Sequence, residues 1–196
     1  MIAIVDYGAG NLVSVKKAVD WLGRECAITS DPAEVAKATS IILPGVGHFA
    51  STAVIEKSGL RNAISEAIGR GVPFLGICVG MQWMFEGSQE SPETAGLGLL
   101  RGACERFPAN VKSPHVGWNK LDVAESSPLF RGIGPAPFVY FTHSFRVPAN
   151  GTTVAFCEYG GRFSAAVEKN HVFGVQFHPE KSGDIGLQVL RNFCSF

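Results

Sequence analysis

Four short apolar stretches in the first 77 residues constrain this chain most: Ile2–Val5, Ala27–Thr29, Ile41–Leu43 and Val72–Ile77. None alternates apolar with polar side chains. A strand with one face in water must alternate, so such runs suit strands covered on both faces, as inside a parallel sheet. Helical patterns fill the gaps. Behind the turn Tyr7-Gly8-Ala9-Gly10, Asn11 can cap a helix whose apolar face is Leu12, Val15, Val19 and Leu22. Asp31-Pro32-Ala33-Glu34 places a cap, a first-turn proline and a reach-back carboxylate at a second helix start. Leu60, Ile64, Ala67 and Ile68 mark a third, stopped by Gly71. Strand and helix in alternation predict an α/β fold.

The second half changes character. Phe138–Phe141, Thr153–Cys157, Phe163–Val167 and Val172–Phe177 read as closely spaced strands, with Tyr159-Gly160-Gly161-Arg162 as a hairpin connection. A last helix runs from about Asp184 to Cys194, with Ile185, Val189 and Phe193 on one face. With no repeat, linker or low-complexity tract, the expectation is a single domain over residues 1–196. Its central sheet would be mixed, mostly parallel and flanked by helices.

Composition closes off several function classes. Lys plus Arg and Asp plus Glu both number 17, so nothing suggests a nucleic-acid or anionic-membrane partner. No stretch approaches the roughly 20 apolar residues of a membrane span. The opening MIAIVDYGAG lacks the basic flank and length of a secretory signal, so a cytoplasmic protein with reduced thiols is expected. Cys26, Cys78, Cys104, Cys157 and Cys194 are odd in number, and no two are spaced like metal ligands.

One of these cysteines has a special setting. In Gly76-Ile77-Cys78-Val79-Gly80-Met81-Gln82 a buried strand runs into a reactive residue, flanked two positions away on each side by glycine, and a helix follows. That is the pattern of a strand–nucleophile–helix elbow. The glycines allow a sharp turn between closely packed elements, and the helix N-terminus favours thiolate over thiol. The plain alternative, a small core cysteine, suits the other four. A thiolate nucleophile still needs a proton donor for its leaving group. Phe177-His178-Pro179-Glu180 supplies one at a strand's end, with a carboxylate two residues on that can reach back to an imidazole nitrogen. His48 and His171 sit in turn-like sequence, and no carboxylate follows His115 or His143 at such short range.

With these two motifs, the chain resembles the triad-type (class I) glutamine amidotransferases. More narrowly it is similar to the glutaminase subunits of imidazole glycerol phosphate synthases, which act in histidine biosynthesis. Asp6-Tyr7-Gly8-Ala9-Gly10-Asn11-Leu12, Pro44-Gly45-Val46-Gly47, Pro114-His115-Val116-Gly117-Trp118-Asn119, Tyr140-Phe141-Thr142-His143-Ser144-Phe145 and Lys181-Ser182 carry that narrower likeness. The resemblance implies that Cys78 attacks the carboxamide of L-glutamine, that His178 moves protons and that Glu180 orients His178. It places oxyanion donors at the backbone of Val46, Gly47 and Val79. Substrate contacts fall to Gly45, Gly47, Gln82, Ser144 and Phe145. It implies no metal or cofactor, and a heterodimer with a (β/α)₈-barrel cyclase that receives the ammonia, with Asn11, Trp118, Tyr140 and Lys181 near the docked face. Val79 and Trp83 stand where leucine is commoner in the family, and Phe145 where tyrosine is. Val79 and Phe145 would act through backbone groups, while Trp83 bears on the packing behind the nucleophile.

Rival readings within reach of the same motifs are a glutaminase for another synthase, a cysteine peptidase or γ-glutamyl hydrolase, and a non-catalytic partner subunit. The Gly117-Trp118-Asn119 stretch and the opening motif disfavour the first. Gln82 and the Pro44–Gly47 loop suit a small amide better than a peptide. A purely structural subunit gains nothing from a polar triad.

Overall fold

The computed structural model describes residues 1–124 and 127–196. The chain opens with β1 (Ile2–Val5), wholly buried, then α1 (Leu12–Trp21), β2 (Cys26–Thr29), α2 (Pro32–Lys37) and β3 (Ser40–Gly45). Helices α3 (Ala53–Lys57) and α4 (Leu60–Gly69) lead to β4 (Phe74–Cys78) and the short α5 (Val79–Trp83). There follow β5 (Gly87–Ser88), β6 (Ala103–Arg106), β7 (His115–Val123), β8 (Phe138–His143), β9 (Phe145–Arg146), β10 (Thr153–Glu158), β11 (Arg162–Lys169), β12 (Val172–Val175) and α6 (Gly183–Phe193).

Among the described residues, nine strands form one sheet in the order β2-β1-β3-β4-β12-β11-β10-β7-β8. The first five run parallel, and the remaining pairs are antiparallel. Tracing those senses across the sheet gives one direction to every strand except β11 and β7. The carboxyl ends of β3, β4, β12 and β8 therefore lie along one edge, where open α/β sheets carry their sites. A small second sheet, β5-β6-β9, brings Phe145 to that edge.

The fully apolar runs occupy the middle: β3 and β4 are buried at every residue, as burial on both faces requires. Trp83, Phe49, Phe74, Phe85, Phe141, Phe163, Phe173, Phe177 and Phe193 are the bulkiest side chains fully enclosed in the core. Trp83 lies there behind the elbow, where the sequence left its packing open. All five cysteines are free thiols. No helix among the described residues is long and apolar enough to cross a membrane.

Two local expectations turn out differently. Asn11 precedes α1 but its side chain makes no capping bond; the amide is turned to another partner, described below. Asp31 does cap α2, accepting from the Ala33 N–H at 2.8 Å, whereas Glu34 makes no reach-back bond. β7 is an addition to the predicted strands. Its residues alternate in burial and carry Gly117, Asn119 and Lys120, so it lacks the apolar run that betrays the central strands.

Candidate active site

Cys78 is the last residue of β4 and the cap of α5, with φ 54° and ψ −109°. A non-glycine residue pays about 1–3 kcal/mol for such a conformation, which persists only where its surroundings impose it. Here they do. A Cβ on Gly80 would collide with the Leu43 carbonyl, and one on Gly76 would lie 2.5 Å from the Gly80 carbonyl oxygen. The two glycines thus let α5 press onto β3 and β4, and the turn between them projects the sulfur. Val79 opens α5 directly after the sulfur-bearing residue, so its N–H lies at the elbow.

His178 follows β12, and its Nδ1 lies 2.9 Å from Glu180 Oε1, each side chain 1% exposed. The Asn11 amide, which does not cap α1, donates to the same Oε1 at 3.3 Å. The turn is stitched to β8. His178 N–H donates to the Tyr140 carbonyl (2.9 Å), Tyr140 N–H to Ser182 Oγ (3.0 Å), and Ser182 Oγ–H to the His178 carbonyl (2.7 Å). With Nδ1 taken, Nε2 is the nitrogen left for the sulfur; it and Glu180 Oε2 are buried without hydrogen-bond partners among the described residues.

Burial alone would depress the imidazole's proton affinity. The neighbouring Cys78 sulfur and the Glu180 carboxylate override it and push His178 up to about 10. The resulting imidazolium is the counter-ion a thiolate requires and the acid its leaving group requires. A second, separate pair behaves oppositely. His115 and His143 are buried against each other, 3.1 Å apart, and burial lowers them to about 4 and about 3.

These shifts set a pH dependence of stability. From ordinary values of 6.5 in the unfolded chain, the depressed pair contributes stability that is complete above 6.5 and lost as pH falls toward 4 and 3. The raised His178 contributes stability that is complete below 6.5 and lost as pH rises toward about 10. Melting temperature followed from pH 3 to 10 should therefore fall on both sides, and His143→Gln should flatten the acid side selectively. An unchanged acid limb in that variant would contradict the assignment.

A pocket of about 180 Å³ opens at Cys78, lined by Gly47, Val79, Gln82, Glu90, Pro114, Thr142, His143, Ser144 and Phe145. Gly47, Val79, Gln82, Ser144 and Phe145, all expected there, are brought together. Gly45 and Val46 are not part of the lining: Gly45 pairs with Cys78 in the sheet, and Val46 is half-buried. Trp118, Tyr140 and Lys181 meet, while Asn11 is placed through its bond to Glu180. The Trp118 and Tyr140 rings meet edge to face at 6.2 Å, and Lys181 Nζ lies 5.8 Å from the Tyr140 ring.

Residues 3–195 match the class-I glutamine amidotransferase family. The chain belongs to that family. Among its relatives is the imidazole glycerol phosphate synthase subunit HisH of Moorella thermoacetica, 48% identical over 98% of this chain and 93% of that protein. The subunits of the same name from Oceanobacillus iheyensis and Methanothermobacter thermautotrophicus are 45% and 46% identical, over 98% of this chain and 98% and 97% of theirs. Solved structures share the fold: a glutamine amidotransferase (TM-score 0.79, 20% identity, 100% of this chain and 98% of that one) and PurLQS from Thermotoga maritima (TM-score 0.77, 23% identity, 99% and 97%).

Sequence reading missed two polar residues at the site of this amidotransferase. Glu90 is the one carboxylate among the pocket-lining residues, and it also accepts from the Phe49 N–H at 2.8 Å. It sits in Gly87-Ser88-Gln89-Glu90-Ser91, which carries no signal beyond an ordinary polar turn. Gln176 lies buried two residues before His178, with its amide 3.6 Å from the Cys78 sulfur. The only hint was a polar residue inside an otherwise apolar strand.

Proposed function

We propose that this chain is the glutaminase subunit of an imidazole glycerol phosphate synthase, with Cys78 as nucleophile, His178 as proton carrier and Glu180 as its orienting carboxylate. The observation that carries the residue roles is the buried His178–Glu180 pair at 2.9 Å beside a cysteine in a strained elbow. The sulfur attacks the side-chain carbonyl of L-glutamine. The negative oxygen that forms is met by the Val79 N–H and by N–H groups of the Pro44–Gly47 loop, Val46 and Gly47 among them. His178 gives its proton to the departing ammonia and leaves a γ-glutamyl thioester. It then takes a proton from the water that releases glutamate.

Gln82 supports the substrate-holding role. Both its amide hydrogens are committed to the Phe145 carbonyl and Gln176, which leaves its Oε1 to accept from the substrate. The Glu90 carboxylate suits the substrate's ammonium. Gly45 acts by letting the loop approach Val79 rather than by contact, since a Cβ there would lie 2.7 Å from the Val79 Cβ. The ammonia passes to a cyclase subunit that makes imidazole glycerol phosphate and an aminoimidazole carboxamide ribotide. We take that partner as a (β/α)₈ barrel in a heterodimer docked over Asn11, Trp118, Tyr140 and Lys181, in the cytoplasm, with residues 1–196 as one amidotransferase domain. Trp118 at 56% exposure is a large apolar side chain suited to burial in such an interface.

The experiment is to measure glutamate release from glutamine by this chain alone, with the cyclase subunit, and with the cyclase subunit and its ligand. Release should rise at least about tenfold on full assembly, as ordering of the oxyanion loop by the partner would give. No release in the complete mixture would sink the reading.

A further inference from the structure

A hydrogen-bond chain outside the triad runs from the surface of β7 to the nucleophile, and its direction can be worked out bond by bond. The Asn119 amide is oriented by two backbone groups: Nδ2 donates to the Glu158 carbonyl at 3.2 Å, and Oδ1 accepts from the Lys120 N–H at 2.8 Å. Its remaining N–H faces His115 Nε2, 3.3 Å away, which must be the acceptor. His115 then carries its proton on Nδ1 and donates it to His143 Nε2 at 3.1 Å. His143 likewise donates from Nδ1 to the Phe145 carbonyl at 2.8 Å. That carbonyl also takes an N–H from Gln82 at 3.0 Å, and the other Gln82 N–H goes to Gln176 Oε1 at 3.1 Å. The Gln176 NH₂ is thereby turned to Cys78 Sγ at 3.6 Å, its one hydrogen-bond acceptor among the described residues.

The Glu158 and Phe145 carbonyl oxygens only accept, which fixes the direction of the Asn119, His143 and Gln82 N–H groups and so of the links between them. Gln176 is fully buried and Gln82 is 2% exposed, so neither amide can exchange its partner for water. A thiol is a poor acceptor for a buried amide, whereas a thiolate is a strong one.

We propose that Gln176 acts on the nucleophile itself: held by Gln82 and anchored through the Phe145 carbonyl to His143, His115 and Asn119, it donates an N–H to the Cys78 sulfur whenever that sulfur is negative. This rests on the roles of Cys78 and His178 proposed above. The sulfur is negative before it attacks glutamine. It is negative again when the adduct of thioester and water collapses: the C–S bond breaks, its electron pair returns to sulfur, and His178 holds the proton taken from water. His115 and His143 are positioning residues, and their depressed proton affinity keeps them in the neutral forms the chain requires.

The test uses Gln176→Glu, which keeps an acceptor for Gln82 but removes the N–H, and Gln176→Leu, which removes it without adding charge. Iodoacetamide alkylation of Cys78, read by mass spectrometry of its peptide, needs neither glutamine nor partner. Both variants should react about tenfold more slowly at pH 7.5, the loss expected of one charge-assisted hydrogen bond. In the assembled enzyme, Gln176→Glu should lower kcat by a similar factor with KM for glutamine within about twofold. Nitrogen-15 spectra of the unaltered protein should place the proton on Nδ1 of both His115 and His143. Alkylation within about twofold of the unaltered rate in either folded variant, or a proton on Nε2 of either histidine, would overturn the proposal. Either result would leave glutamate release by the unaltered assembled protein, the measure of the proposed function, intact.

Discussion

Cys78→Ser, assembled with the cyclase subunit and its ligand, is expected to lower kcat for glutamine hydrolysis by about 10⁴-fold or more, with little change in stability. A hydroxyl is close in size to a thiol, so the elbow should survive. The chemistry should not. The serine proton is held far more tightly than a thiol's, and the interactions with Cys78 that raise His178 are lost with the sulfur. His178, raised by its contacts with Cys78 and Glu180, is arranged to pair with a negative sulfur rather than to strip a hydroxyl at the moment of attack. Steady-state glutamate release, with circular dichroism as the folding control, decides it. A variant retaining a tenth of the activity would remove Cys78 from the mechanism.

The largest structural effect should come from adding one methyl group at Gly80. Gly80→Ala drives its Cβ into the Leu43 carbonyl, so α5 must lift from β3 or the turn at Cys78 must relax. Backbone cannot give way as a flexible side chain can. The cost should be about 3 kcal/mol or more, a fall in Tm of about 6 °C or more for a chain of this size. Activity should fall with it even where the variant remains folded, because the sulfur leaves its place beside His178. Gly69→Ala, where a Cβ meets nothing within 4 Å near the end of α4, is the matched control and should be neutral or slightly stabilising. Equal melting temperatures for the two variants would show that the elbow is not tight.

Much of this architecture was legible in the sequence because its signals are local. Ile41–Leu43 and Val72–Ile77 announced β3 and β4 through unbroken apolar character, and both lie in the buried middle of the sheet. The pair Gly76 and Gly80 around Cys78 announced the elbow through a steric requirement that the Leu43 and Gly80 carbonyls make explicit. His178 and Glu180 are two residues apart, so their pairing needed only a turn. β7 was harder to see: with one face toward solvent and Gly117, Asn119 and Lys120 within it, its strand character comes from pairing with β8 rather than from its own side chains.

The sequence by itself determined the elbow at Cys78, the short-range pairing of His178 with Glu180, and the α/β frame with its parallel strands. Each of these is written within a few consecutive residues, where backbone sterics and side-chain pattern act directly. The tertiary structure alone decided what surrounds them. Asn11 is 169 positions from the carboxylate it holds, and Gln176 is 98 from the sulfur it faces. Gln82 is 63 from the carbonyl it bonds, and His115 and His143 share a bond across 28. A hydrogen bond forms only at contact distance and in one direction, and residues this far apart reach that distance only when the sheet has set the order and register of its strands.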